Sequence, residues 1–186
     1  MTRYFIGLML PPPVQAHLTG LVNTIRAALP AQRPLKVSWN HPADLHCTLV
    51  FIGHSHDEHR LVISMTEVAA QLPATTLTLA GATHWLGRNS LAVPVKGADE
   101  LGTAFIERMG QLSSDRWAGR RPFHGHVTIG RVRPRPRPAE DLFTQHIVEP
   151  VAWQATQVQL VRGTDASSGP RYRVVAHAPL AGPLNI

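Results

Sequence analysis

Only one cysteine, Cys47, stands in the 186 residues, which excludes a disulfide within the chain and fits a reducing compartment. Acidic side chains are also scarce: 12 Asp and Glu face 18 Lys and Arg, leaving a formal charge of +6 and an isoelectric point near 10.7. Such a balance suits a polyanionic partner, RNA above all. Long apolar runs are missing too. The stretch before Pro11-Pro12-Pro13 is too short to cross a bilayer and has no small-residue cleavage site, so it reads as a strand, with no membrane partner and a cytoplasmic location expected. Charged residues make up 16% against 44% hydrophobic, a ratio that excludes disorder and suffices for one substantial core.

Histidine, by contrast, is plentiful, with 11 in the chain. The pattern His-x-Thr-aliphatic occurs twice in strand-like surroundings, as His46-Cys47-Thr48-Leu49 and His126-Val127-Thr128-Ile129. On a strand, side chains at i and i+2 share a face, so each pair presents an imidazole and a hydroxyl together. Brought face to face, the two pairs supply an acid, a base and two donors, a set able to cleave a phosphodiester without a metal. A third triplet, His17-Leu18-Thr19, lies among Val14, Leu18, Leu21, Val22, Ile25 and Leu29, which follow the helical period. On a helix i and i+2 diverge by about 200°, so His17 and Thr19 cannot meet one ligand.

Periodicity predicts strands over Tyr4–Leu10, Lys36–Trp39 and Leu45–Ile52, then Thr76–Ala82, His84–Leu86 and Leu91–Val95 around Gly87-Arg88-Asn89. Further strands are expected at His126–Ile129, Trp153–Val161 and Tyr172–Ala178. Helices are expected over Val14–Leu29, Glu58–Gln71 with Asp57 as N-cap, and Ala98–Leu112, with a short one near Glu140–His146. The run Arg133-Pro134-Arg135-Pro136-Arg137-Pro138 must be extended, since no proline donates an N–H. Simple alternation puts His46, Thr48 and Val50 on one face of their strand and Leu45, Cys47, Leu49 and Phe51 on the other. It likewise puts His124 beside His126 and Arg131 on the opposite face. The predicted fold is α+β: two pseudo-symmetric lobes of antiparallel sheet with flanking helices, one bilobal domain over residues 1–186, and a cleft between the lobes.

With both motifs placed, the chain resembles the two-histidine phosphoesterases, most closely the RNA 2′,3′-cyclic phosphodiesterases, also called 2′-5′ RNA ligases. The matching segments are Arg3-Tyr4-Phe5-Ile6-Gly7-Leu8, Leu45 to Gly53, Arg121 to Arg131, and Gly169-Pro170-Arg171-Tyr172. The resemblance implies His46 as proton donor to the departing O3′, His126 as the base that activates water, and Thr48 and Thr128 as phosphate contacts. It implies a 2′-phosphate product, reversible 2′-5′ ligation, and an arginine, Arg131, at the terminal nucleotide. No cofactor or metal is called for, and a monomer acting on RNA is expected. Where the family usually has proline this chain has Gly125, and a family serine is replaced around Gly163-Thr164.

From the residues themselves, His124 is a candidate phosphate or orienting group, Tyr172 and Phe5 candidates to stack on a base, and Arg116, Arg120 and Arg121 candidate backbone contacts. Two rival readings stand beside the enzyme. One is an RNA-binding module without turnover. The other is a metal site in His54-Ser55-His56-Asp57-Glu58-His59, against which capping by Asp57 and a solvated loop weigh more heavily. Cys47 as a nucleophile activated by His46 fails on geometry, because strand neighbours point to opposite faces.

Overall fold

Three apolar stripes at helical spacing become three helices, and each buries the residues its period selects. Helix α1 (Pro12–Ala28) buries Val14, Leu18, Val22 and Ile25, and it starts on a proline that supplies a helical φ where no N–H partner is needed. Helix α2 (Glu58–Ala69) buries Leu61, Met65, Val68 and Ala69, and the Asp57 side chain caps it by accepting from the Arg60 N–H. Helix α3 (Asp99–Met109) buries Leu101, Phe105 and Met109, and one 3₁₀ turn carries the chain to Leu112. The computed structural model describes residues 2–29, 36–55, 57–112, 122–133, 142–144, 146–164 and 168–182.

Ten strands are described: β1 (Thr2–Met9), β2 (Lys36–Trp39), β3 (His46–Ser55), β4 (Thr75–Ala82), β5 (His84–Leu86), β6 (Ser90–Lys96), β7 (His126–Arg133), β8 (Ile147–Ala155), β9 (Gln157–Gly163) and β10 (Tyr172–Pro179). Their order is β10-β9-β1-β3-β7-β6-β4-β8, with β2 added beside β7 and β5 beside β6, and the strand pairs are antiparallel. The α+β class and antiparallel pairing expected from the sequence are therefore found, as a curled sheet with few helices. The two His-x-Thr strands, β3 and β7, are neighbours at the middle of this order, where Cys47 pairs with Val127. One hydrophobic cluster includes residues from both halves of the sheet and from all three helices. No helix among the described residues is long and apolar enough to cross a membrane.

Three expectations need correction. The run expected as one strand at Trp153–Val161 is two, β8 at one end of the strand order and β9 next to the other end, with Thr156 between them in sequence. A continuous β-rich stretch hides such a crossing because both strands carry the same period. Of the short helix expected near Glu140–His146, residues 142–144 and 146 are not helical, while 140, 141 and 145 lie outside the described residues. Strict alternation also fails in β3 and in β7. Gly7 pairs with Thr48 but Ile6 with Val50, and Ala92 pairs with Thr128 but Leu91 with Gly130. One residue is thus extra at each of these points, Leu49 and Ile129, both buried, and β3 skips a second residue, Ile52, nearer its end. Such a bulge reverses the alternation of faces up to the next irregularity. The Arg-Pro run beyond Arg133, the loop with Arg116, Trp117, Arg120 and Arg121, and His56 lie outside the described residues.

Gly7 sits at the β3 irregularity, and a Cβ there would stand 2.7 Å from the Cys47 carbonyl oxygen, a backbone atom that cannot step aside. Gly7→Ala is expected to cost about 2 kcal/mol through overpacking, roughly 4–8 °C in Tm for a chain of this size. Calorimetry checks this, and an unchanged Tm would show that β1 and β3 are not held this closely.

Candidate active site

The seam between β3 and β7 assembles the site. With Cys47 opposite Val127, antiparallel register sets His46 across from Thr128 and Thr48 across from His126. The central row, Leu8, Cys47, Val127 and Val93, points into the core and is buried. The rows on either side turn their imidazoles and hydroxyls to the other face, where all four groups are partly exposed.

Each imidazole is fixed in the same local way. Nδ1 of His46 lies 2.6 Å from the Asp44 carbonyl oxygen, and Nδ1 of His126 lies 2.9 Å from that of His124. In the neutral ring Nδ1–H donates to that carbonyl, which leaves the Nε2 lone pair for the site. His46 is further clamped by aromatic rings. Phe5 stacks on it at 4.4 Å and 24°, and Tyr172 meets it edge-on at 5.1 Å and 84°. Burial in this clamp pushes the His46 pKa below its ordinary value, partly opposed by the Asp44 carbonyl and carboxylate, with His126 adding to the depression.

Asp44 ties the clamp together. It is 3% exposed, and its carboxylate accepts from the Arg171 N–H at 2.8 and 3.0 Å and from the Tyr172 N–H at 3.1 Å. One residue thereby orients His46 with its carbonyl and fixes the start of β10, hence Tyr172, with its carboxylate. On β7, Asn40 plays a comparable part. Its side-chain amide donates to the Thr128 carbonyl at 2.7 Å and its backbone N–H to that of Ile129 at 3.0 Å, which pins the bulge. Gly125, standing where the family usually has proline, is held by a different device. Its N–H donates to Asp99 Oδ1 at 3.0 Å, and a Cβ there would meet the Val95 carbonyl oxygen at 2.5 Å. Proline would forfeit that bond and collide.

The two bulges decide what else reaches the site. After Leu49 and Ile129 the faces switch, so Phe51 and Arg131 emerge beside the imidazoles, and Val50 turns inward. Alternation had placed Phe51 and Arg131 on the far face; Arg131 is thus brought to the site and Phe51, 43% exposed, joins it. Both line a cavity of about 1040 Å³ together with His46, Thr48, Thr128 and Tyr172. Cations ring it: Arg3, Arg26, Arg131 and Arg171, with Arg26 5.4 Å above the Trp39 ring. Among the described residues, Asp44 is the one acidic residue of its walls. His126 faces Thr48 across the seam but is not among the cavity walls, so the cavity opens on the His46 side.

Other candidates fall differently. Phe5 is 4% exposed, and its ring and that of Tyr172 meet the His46 imidazole. The His124 side chain is exposed, and its link to the site is its carbonyl. Burial pushes the Cys47 thiol up to about 12, which leaves it a protonated core residue. In the histidine-rich stretch, His54 accepts from Arg3 Nε at 3.4 Å, Asp57 caps α2, and Glu58 accepts from the Tyr4 hydroxyl at 2.8 Å. No group of three metal-ligating side chains stands together among the described residues.

A family model for the 2′-5′ RNA ligase superfamily matches residues 10–167. A curated relative, the RNA 2′,3′-cyclic phosphodiesterase of Thermotoga maritima, is 25% identical over 192 residues, covering 98% of this chain and 97% of its own. Among solved structures, TT0787 of Thermus thermophilus aligns with a TM-score of 0.69 at 23% identity, over 97% of this chain and 99% of that one. Escherichia coli LigT complexed with 3′-AMP aligns with a TM-score of 0.67 at 20% identity, over 96% and 97%. These two likenesses show the fold.

The clamp around His46 has a consequence for stability. The unfolded chain takes up the proton near the ordinary value of 6.5, while the folded chain resists it until lower pH. The stability contribution is therefore full above about 6.5 and lost as pH falls from there through the depressed native value. Urea unfolding at pH 7.5 and 5.5 should show a larger loss for the wild type than for His46→Asn. Equal losses would mean that His46 is not held neutral by its surroundings.

Proposed function

Because the chain belongs to the 2′-5′ RNA ligase superfamily, we propose that it hydrolyses the 2′,3′-cyclic phosphate of RNA and nucleoside ends to a 2′-phosphate. The observation that carries this reading is the crossed register of the seam, with each imidazole opposite the other strand's threonine and each Nδ1 held by a carbonyl. His126 takes a proton from water, the water oxygen bonds to phosphorus, the P–O3′ bond breaks, and His46 protonates the departing O3′. Thr48 and Thr128 donate to the non-bridging oxygens, whose charge grows as phosphorus becomes five-coordinate. The scheme calls on no metal, since both proton transfers and the charge stabilisation have protein groups to perform them.

The ring of arginines supports an anionic substrate in the cavity, and Phe51 beside Arg131 offers a terminal nucleobase an aromatic face and a guanidinium. The Thermotoga relative is named an RNA 2′,3′-cyclic phosphodiesterase, and LigT has been solved with a nucleoside monophosphate, 3′-AMP. A cytoplasmic monomer built as one bilobal unit belongs to the same proposal.

Purified protein should open a nucleoside 2′,3′-cyclic phosphate in the presence of chelator, with ³¹P NMR showing the 2′-phosphate. On an activated aryl phosphodiester, whose leaving oxygen needs no proton, His46→Ala should be largely rescued while His126→Ala stays impaired. Activity lost with chelator and regained with zinc would overturn the metal-free scheme. Rescue of His126→Ala instead would reverse the two roles.

A further inference from the structure

A third histidine belongs to the same face, and neither the family match nor the two motifs assign it a part. His84 opens β5 and pairs with Ala92 on β6, and Ala92 pairs with Thr128 on β7. Residues directly opposite in antiparallel strands share a face, so a single row runs His46, Thr128, Ala92, His84 across four strands. Ala92 puts only a methyl between His84 and the seam, and that methyl is fully buried. His84 itself is half-buried. The Ala82 carbonyl, two residues back, acts on its ring in the sense that favours protonation. Burial holds its pKa below the ordinary histidine value, partly opposed by that carbonyl, and the His126 ring depresses it further, so the two rings are within electrostatic reach. On that shared face a neutral His84 ring has one nitrogen with a free lone pair to accept a hydrogen bond.

Its side of the site matters. The large cavity lies toward His46, where the nucleotide and its O3′ would sit, whereas His84 stands beyond Thr128 on the β6 side, to which His126 is joined through Pro94. Resting on the phosphodiesterase reading above, we propose that His84 holds the attacking water against His126 and so selects water over alcohols as the nucleophile. A water offers two O–H groups. His126 takes the proton of one, His84 accepts a hydrogen bond from the other, and a lone pair is left facing phosphorus. The O–P bond forms, P–O3′ breaks, O3′ takes the His46 proton, and the hydrogen on His84 stays with the phosphate product until solvent removes it. An alcohol has one O–H, which the base needs, so His84 does nothing for it. The 5′-hydroxyl of a second strand is such an alcohol, and hydrolysis is thereby favoured over ligation.

The test is product partition. Cyclic AMP of the 2′,3′ type is incubated in water–methanol, and the 2′-phosphate and its methyl ester are separated by chromatography. Loss of one hydrogen bond to water predicts that His84→Ala raises the ratio of ester to acid roughly tenfold, mostly through slower hydrolysis. His84→Gln, whose amide oxygen still accepts, should restore much of the preference for water. Should the alanine variant not fold, His84→Phe fills the same space without an acceptor and should partition like it. An unchanged ratio in the folded variant, even with both products slowed, would reduce His84 to a structural residue and overturn the proposal. No turnover by the wild type would overturn the phosphodiesterase reading and this inference with it.

Discussion

The pairing of Cys47 with Val127 is the constraint on which the rest depends. These two residues carry no chemistry, yet they fix where all the chemistry goes. Their side chains fill a buried row with Leu8 and Val93, and each such apolar side chain contributes roughly 1.5–3 kcal/mol by leaving water. A slip of one residue would turn that row outward and bury the imidazoles, so the core itself enforces the register. The small size of Cys47 suits this place: it is fully buried between two strands and keeps its proton.

Around the seam, the two halves use the same devices. Each histidine is oriented by the carbonyl two residues before it, each strand bulges three residues after the histidine, and each then presents a residue that lines the cavity at the fifth position, Phe51 or Arg131. The likeness ends at the surroundings. His46 lies in an aromatic clamp closed by Asp44, while His126 follows a glycine tethered to the first residue of α3. In the proposed reaction that asymmetry has a use. An imidazole kept neutral by apolar rings gains its proton most readily when a phosphate anion arrives beside it, so the acid is armed by the substrate.

The sequence announced what local patterns can carry. The helical stripes, the turn at Gly87 to Asn89, the Asp57 cap and the two His-x-Thr strands follow from spacing and residue type, and they were found. What stayed hidden is non-local. Leu49 and Ile129 look like ordinary strand residues, and nothing in one strand reveals that its neighbour skips it; hence Phe51 and Arg131 were set on the wrong face. Asp44 reads as a turn residue until the distant Arg171 and Tyr172 bring their N–H groups to it. Asn40 and His84 have no motif of their own, and only the arrangement of neighbouring strands gives them a place. The aromatic expectation for Phe5 named a residue at the site, but not the ring that it meets.

That one phosphate engages both histidines at once is the central claim, and imidazole ¹⁵N NMR of the protein titrated with 2′-AMP tests it most directly. The account predicts that the resonances of His46 and His126 move together, with one Kd and one equivalent of nucleotide. Movement of one ring alone, or two separable Kd values, would mean that the seam does not bring the two imidazoles to a common phosphate.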